Sequence, residues 1–378
     1  MSYPIIINLR KELHQYPELS SAEWATRDRI KAFIDQHHPA TRTEHVGETG
    51  LMAIYKFPKK EKTVTIRCEL DALPIQEVNS FAHRSKKEGV AHKCGHDGHM
   101  AIVAGLIFWI EQQTFAAGTI VLLFQPAEET GRGAAQVFND PVFQALETDY
   151  IFALHNIPKA PLHQIIFIEK GFSAEVQSFV LRLTGKESHA AEPENGINPA
   201  LAISEIVAAL AMLNQPNPQF DDFAILTPVH INMGQLAYGV SPANGAIHYT
   251  IRTWSGEKMS RLKTKIEQSV SEICHKQRLG YSFEWLEYFP ASSNDAQANQ
   301  YVTRAAKANN FQLTERPYPF KFGEDFGWFT TQYKTAMFGL GAGIEMPALH
   351  NADYDFPDKI IETGMRMFQS IITQILES

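Results

Sequence analysis

The sequence has no surplus of basic residues, no long hydrophobic run and no even set of cysteines, and each absence closes off a class of function. Lys and Arg number 34 against 42 Asp and Glu, a formal net charge of -8 at pH 7. Nucleic-acid and anionic-membrane surfaces need the opposite balance, so neither partner is expected. The only apolar run near the start, residues 5–7, is too short for a signal-peptide core or a bilayer span, and no later stretch is long and charge-free enough. This reading predicts a cytosolic protein. The three cysteines, Cys68, Cys94 and Cys274, argue against a disulfide framework. Cys68 lies in the strand-like TVTIRCEL and Cys274 in the helix-like IEQSVSEICHKQ, where both read as packed thiols. Also missing are a G-x-S-x-G nucleophile elbow, a Walker loop, a G-x-G-x-x-G fingerprint, internal repeats and low-complexity tracts.

What remains is an ordinary enzyme-like composition over 378 residues, 44% apolar and 20% charged, long enough for two domains. Helical spacing covers residues 9–16 and 22–33, with Ser20 or Ser21 as the expected N-cap of the second helix. Strand-like runs follow at 51–57 and 64–70, then a buried helix at 97–113, a β-branched strand at 119–124, a helix at 132–138 and a buried strand at 151–154. Strands that are apolar on both faces and alternate with helices predict an α/β domain with a mostly parallel central sheet. The middle third alternates apolar and polar residues instead. Its order is strand (178–183), helix (199–213), strand (225–235), strand (246–254), helix (258–276), strand (281–288), that of a ferredoxin-like α+β unit. From about residue 290 the first texture returns, including a strand at 335–338. The expected organisation is a catalytic domain in two parts, 1–172 and 290–378, with residues 173–289 inserted between them.

Four sites carry chemistry. HKCGHDGH places His92, Cys94, His96 and His99 within eight residues before a helix, a density of thiolate and imidazole suited to zinc and related ions. Asp97 could orient a ligand imidazole from behind. QPAEETG sets Glu128 beside Glu129 directly after a buried strand, where ligands collect in open α/β sheets. One such carboxylate can bind a metal while the other moves a proton. His155 closes the strand in FALHNIP, and His350 precedes Tyr354 and Asp355 in PALHNADYDF. Each of these is ordinary alone. Together they are donors for a binuclear site.

At this point the chain resembles the aminoacylase and glutamate-carboxypeptidase superfamily of binuclear metallopeptidases. Within it, the branch that fits is that of the amidohydrolases such as hippurate hydrolase, auxin–amino acid conjugate hydrolase and N-acetyl-diaminopimelate deacetylase. The likeness runs through LRKELHQYPELS, RCELDALPIQE, HKCGHDGHMA, LLFQPAEETGRGA, GKESHAAEP, GEDF and LHNADYDF. It implies metal ligands at Cys94, His96, Glu129, His155 and His350, with Cys94 as a thiolate able to bridge two divalent ions, zinc or manganese foremost, cobalt or nickel otherwise. It implies Glu128 as general base and then general acid, and Asp71 as a supporting carboxylate. From the inserted lid and dimerisation domain it implies His189 against the reacting carbonyl, in its own or a partner subunit, and Arg252 on the substrate carboxylate. The expected reaction is hydrolysis of N-acyl amino acids by a homodimer. A carboxypeptidase or dipeptidase with the same site, and a silent metal- or ligand-binding scaffold, are the alternatives. Two positions depart from the pattern. Relatives usually carry Asp where this chain has Glu69, and an Asn that helps bind substrate where it has Gly239.

Overall fold

The apolar run TVTIRCEL becomes the strand on which the catalytic half is organised. The computed structural model describes residues 3–377. In chain order the first part contains α1 (Tyr3–Gln15), α2 (Trp24–His37), β1 (Arg42–Val46), β2 (Gly50–Lys56), β3 (Lys59–Glu69), α3 (His96–Gly105), α4 (Ile107–Ile110), β4 (Ala117–Gln125), α5 (Gly133–Phe138), α6 (Pro141–Gln144), β5 (Tyr150–Pro158) and β6 (Ile165–Phe167). The middle part contains β7 (Glu175–Thr184), β8 (Ser188–His189), α7 (Ala200–Ala211), β9 (Ala224–Met233), β10 (Val240–Ser241), β11 (Asn244–Thr253), α8 (Gly256–Gln277) and β12 (Gly280–Phe289). The chain ends with α9 (Ala296–Ala308), β13 (Leu313–Glu315), α10 (Gly327–Thr330), β14 (Lys334–Gly343) and α11 (Ile361–Leu376).

Backbone proximity divides the chain into two compact units, Met1–Phe172 with Ser292–Pro317 and Glu324–Ser378, and Ser173–Ala291 with Tyr318–Gly323. The short segment 318–323 is a departure from the expected boundaries. Ala174 donates its N–H to Phe320 O at 2.9 Å, and Arg252 Nη1 donates to Lys321 O at 3.0 Å, so those residues belong with the second unit.

The first unit is an α/β structure around a sheet of order β1-β2-β4-β3-β5-β14-β6-β13. Its middle is parallel, β4 to β3 to β5 to β14, while the β1–β2, β2–β4 and β14–β6 pairs run antiparallel. The parallel strands are apolar on both faces because helices cover them. Ile66 of β3, Leu122 of β4, Phe152 of β5 and Phe338 of β14 share one core with Met100 and Val103 of α3 and Phe368 and Ile371 of α11. Each such side chain stabilises the fold by about 1.5–3 kcal/mol on burial.

The second unit is the smaller, antiparallel one. Its sheet has the order β12-β7-β11-β9, and α7 and α8 contribute Ile206, Leu210, Leu262, Ile266 and Val270 to its core. Met259, Leu262, Ile266, Val270 and Cys274 recur along α8 at helical spacing and are buried, as expected for Cys274. Among the described residues no helix is long and apolar enough to cross a membrane.

Several local expectations fail for physical reasons. Neither Ser20 nor Ser21 caps α2, which starts after Glu23 without a side-chain cap. Ser20 Oγ donates instead to Asp71 Oδ2 at 2.7 Å. The long helix expected at 97–113 is two, because the backbone tightens at Leu106, whose N–H reaches Val103 O at 3.2 Å. The strands β1, β6 and β13 were not legible: they are short, and β1 and β13 are partly exposed, so they lack an apolar period.

Candidate active site

The carboxyl ends of β3, β4 and β5 run into Glu69 and Asp71, Gln125 to Glu129, and His155 with Asn156. Because β4 and β5 lie on opposite sides of β3, the chain changes sides there, the place where open α/β sheets gather ligands. Between β3 and β4 the chain makes a sharp turn at Gly95 into α3. Gly95 has φ +101°, and a Cβ on it would meet the Asn156 side chain at 2.7–2.9 Å. Only glycine allows that turn, which brings Cys94 and His96 to the point reached by His155. Ala127, just before Glu128, also has positive φ, 49°, and is held by its N–H donating to Glu23 Oε1 at 2.8 Å.

All five expected ligands and Glu128 converge in this unit. The donor atoms of Cys94, His96 and His155 lie within 4.8 Å of one another, as do those of Cys94, Glu129 and His350, and those of His96, Glu128 and Glu129. Cys94 Sγ is 3.5 Å from His155 Nε2. His96 Nε2 is 3.8 Å from Glu128 Oε2 and 3.9 Å from Glu129 Oε1. His350 Nε2 is 3.7 Å from Glu129 Oε2. The rings are oriented from behind. His96 Nδ1 donates to Asp71 O and His155 Nδ1 to Asn156 O, both at 2.9 Å, which turns each Nε2 toward the cluster. Asp71 Oδ2 accepts from Glu129 N–H at 2.9 Å as well as from Ser20.

The electrostatics show what this cluster is short of. Glu69, Asp71, Glu128, Glu324 and Asp325 are all buried, with Glu129 beside them. Arg67 is the cation among them: Nη2 donates to Glu324 Oε1 at 2.9 Å and Asp325 Oδ1 at 2.8 Å, Nη1 to Glu69, and Nε to Gln125 Oε1 at 2.9 Å. Burial and the carboxylates of Glu324 and Glu129 hold Glu128 well above the usual range. Burial also pushes Glu129 up to about 7 despite His96. His96 is raised to about 10: burial alone would lower it, but the Asp71 carboxylate, with Oδ1 3.4 Å from Nδ1, and the Glu69 and Glu129 charges prevail. Burial keeps His155, at about 3, and His350 in the neutral form that ligates metals. His96 Nε2, Glu129 Oε1 and Asp71 Oδ1 are buried without a hydrogen-bond partner. Such excess of buried anionic and soft donors fits divalent cations.

The roles of several residues in the site escaped the sequence reading. Glu69 is not an idle departure from Asp: Oε1 takes Arg67 and Oε2 takes His99 Nδ1 at 2.7 Å. His99 Nε2 in turn meets Asn156 Oδ1 at 2.6 Å, and Asn156 Nδ2 donates to Tyr354 Oη at 2.5 Å. The available signal was Arg67 and Glu69 at alternate positions of an otherwise apolar strand, since charges on a buried strand demand partners. Asp97 does not orient a ligand imidazole. The first turn of α3 points it toward α1, where Oδ2 meets His14 Nδ1 at 2.8 Å and Arg10 Nη1 at 3.3 Å. His92 is buried with neither ring nitrogen hydrogen-bonded.

The remaining two candidates belong to the second unit. His189 is exposed on β8, its Nδ1 accepting from Ala191 N–H at 3.0 Å. Arg252 lies on β11 with Nη1 on Lys321 O. A Cβ on Gly239 would meet nothing within 4 Å, so packing does not dictate the missing Asn.

Comparison with known proteins agrees with this geometry. Residues 65–374 match the peptidase family M20/M25/M40. The chain is 33% identical to N-acetyl-L-cysteine deacetylase of Bacillus subtilis over 325 residues, 86% of this chain and 77% of that one. It is 26% identical to hippurate hydrolase of Campylobacter jejuni over 373 residues, 98% of this chain and 96% of the relative. A crystal structure of a dinuclear metal-binding M20 peptidase from Bacillus subtilis superposes with a TM-score of 0.84 at 25% identity, covering 100% of this chain and 99% of the other. With the match spanning most of its length, the chain belongs to peptidase family M20/M25/M40 and is a hydrolase of amide bonds.

Proposed function

We propose that the protein hydrolyses N-acylated amino acids to a carboxylic acid and a free amino acid, with two divalent ions held by Cys94, His96, Glu129, His155 and His350. The observation that carries this reading is the convergence of one thiol, three imidazoles and the Glu128–Glu129 pair in three overlapping groups that share Cys94, His96 and Glu129. The named relatives, a deacetylase and a hippurate hydrolase, act on substrates of this class, and the dinuclear metal-binding relative supports the number of ions. The ions, when bound, supply a water of lowered pKa and a Lewis acid for the carbonyl. Zinc or manganese suits the donor set first, cobalt or nickel after them.

Glu128 takes the proton of the attacking water and delivers it to the leaving amine. Its burial among Glu324, Glu129 and Asp325 keeps it basic enough to hold a proton between the two steps. Asp71 fixes Glu129 through its N–H and His96 through the Nδ1 side, so the donors need no rearrangement when a cation arrives. In this reading His189 donates to the carbonyl oxygen and Arg252 pairs with the substrate carboxylate in bidentate fashion. The second unit also forms a homodimer interface. The exposed edge strand β9, with Val229, Ile231 and Met233 and the following Leu236 and Tyr238, supports that part.

The test is hydrolysis of a panel of N-acetyl amino acids, N-benzoyl amino acids and dipeptides by protein reconstituted with zinc, manganese, cobalt or nickel. Metal-dependent release of amino acid from the N-acyl substrates is expected. Release from dipeptides alone would replace the proposal with a dipeptidase, and no release from any would reject it.

A further inference from the structure

The sequence motif HKCGHDGH contains residues that the mechanism above does not use, Lys93 among them. Lys93 sits between His92 and Cys94, yet its side chain is fully out of solvent. A buried ammonium is costly unless paired and hydrogen-bonded, and this one is. Nζ donates to Glu77, to Asn79 Oδ1 at 2.9 Å and to Tyr354 O at 2.7 Å. None of these is a candidate ligand, and the charge is spent on Glu77. A direct electrostatic role on substrate is therefore excluded.

What the bonds join is more informative. Tyr354 O belongs to the segment that carries His350, and the backbone closes the same contact from the other side: His350 N–H donates to Lys93 O at 2.8 Å. Asn79, the second acceptor, donates through Nδ2 to Asp353 O at 3.0 Å, and Val78 N–H reaches Ala352 O at 3.2 Å. Tyr354 is fully buried, and its hydroxyl accepts from Asn156, the neighbour of His155. Lys93 thus ties the His350 segment to the loop of Cys94 and His96, and Tyr354 carries the tie on to the end of β5.

His350 is the ligand that needs such a brace. Its ring is half exposed, its backbone has φ 65°, and it stands in no regular element. His96 stands on α3 and His155 on β5, with Cys94 two residues ahead of α3, so the group Cys94, His96 and His155 is held without it. The group Cys94, Glu129 and His350 is not.

We infer that Lys93 is a positioning residue that sets the second ion's site by holding His350 against Cys94 and Glu129. The inference rests on the two-ion reading. The experiment is calorimetric titration of the metal-free protein with zinc, with elemental analysis, for wild type, Lys93→Met, Asn79→Ala and Cys94→Ala. Lys93→Met should keep one tight ion and bind the second about 10–100-fold more weakly. Its hydrolytic activity should recover as free metal is raised, which a general packing defect would not permit. Asn79→Ala, which removes one acceptor and leaves the charge pair, should weaken the same ion by less, and it decides the matter if Lys93→Met does not fold. Two ions bound by Lys93→Met with wild-type affinity, equal weakening of both, or an unaffected Asn79→Ala in the absence of folded Lys93→Met would overturn the inference alone. A wild type that binds no zinc, or a Cys94→Ala that still binds two ions, would overturn the metal reading and this one with it.

Discussion

In the first unit Arg67, Glu69, Glu128, Glu324 and Asp325 lie out of solvent beside His96 and His99. In the second, the interior is Phe179, Leu181, Ile247, Ile251, Ile266 and their neighbours, and Glu175 is the only buried carboxylate among its described residues. That one is satisfied locally, accepting from Tyr288 Oη at 2.9 Å and Ala291 N–H at 2.8 Å. The difference teaches where the chemistry is built. Buried charge that is not self-sufficient marks the first unit as the place where cations belong, and the second unit's interior asks for nothing but packing. Its unusual feature is outside, in the nearly fully exposed Leu236 and Tyr238.

Substitutions can break or sharpen this contrast. The largest effect on the fold should come from Arg67→Met. Removing the one cation shared by Glu69, Glu324 and Asp325 leaves buried carboxylates uncompensated, at a cost of about 3–5 kcal/mol read by denaturant unfolding of the metal-free protein. A loss under about 1 kcal/mol would mean that water or proton uptake already relieves the cluster.

The next effect is one of pH. His14 is raised to about 9: burial alone would lower it, but the hydrogen bonds to Asp97 and Glu77 outweigh both burial and the nearby Arg10 charge. A raised histidine stabilises fully below its unfolded value of 6.5 and loses that contribution as pH rises through about 9. The stability of the metal-free protein should therefore fall between pH 6.5 and 9, with His14 contributing on the order of 2–3 kcal/mol; His96, raised to about 10, adds to the same slope, so His14→Gln should reduce the slope without abolishing it. An unchanged slope in that variant would assign the loss to other groups.

Glu69→Asp should have a smaller, more local consequence. The shorter side chain cannot span from Arg67 to His99, so Asn156 and with it His155 lose their backing, and metal affinity should drop about tenfold with little change in melting. Unaltered affinity would show that Asn156 and Tyr354 suffice. Least of all should happen to the monomer in Leu236→Ser with Tyr238→Ser. Stability should stay within about 0.5 kcal/mol, while sedimentation should show loss of the proposed dimer. A dimer that persists would remove the β9 edge from the interface.

The parts of the fold that could be read beforehand are those with a strong period. The apolar β3, β4 and β5, the alternating β7 and β11, and the stripe of α8 each repeat at the spacing of their element. The edge strands β1 and β13 could not be read, because their polar, partly exposed residues carry no period. In the site, Cys94, His96 and the Glu128–Glu129 pair stand out as dense local motifs, whereas His155 and His350 are ordinary alone and gain meaning only in combination with those motifs and from family likeness. The rest depends on contacts far apart in the chain. Arg67 meets Glu324 across 257 residues, and Glu69 meets His99 across 30, distances over which no local pattern reports. Asp97, read as support for a ligand, turned out to serve α1 because a one-residue step along α3 rotates the side chain away from the cluster.

The most direct measurement is made on Glu128→Gln, by elemental analysis of bound metal together with turnover of the best N-acyl amino acid. The glutamine keeps the shape and cannot take a proton. Metal content should stay at the wild-type level while turnover falls by about a hundred- to ten-thousand-fold, the usual worth of a positioned general base. Turnover close to wild type with the metal in place would contradict the assignment of Glu128 and the account of catalysis built on it.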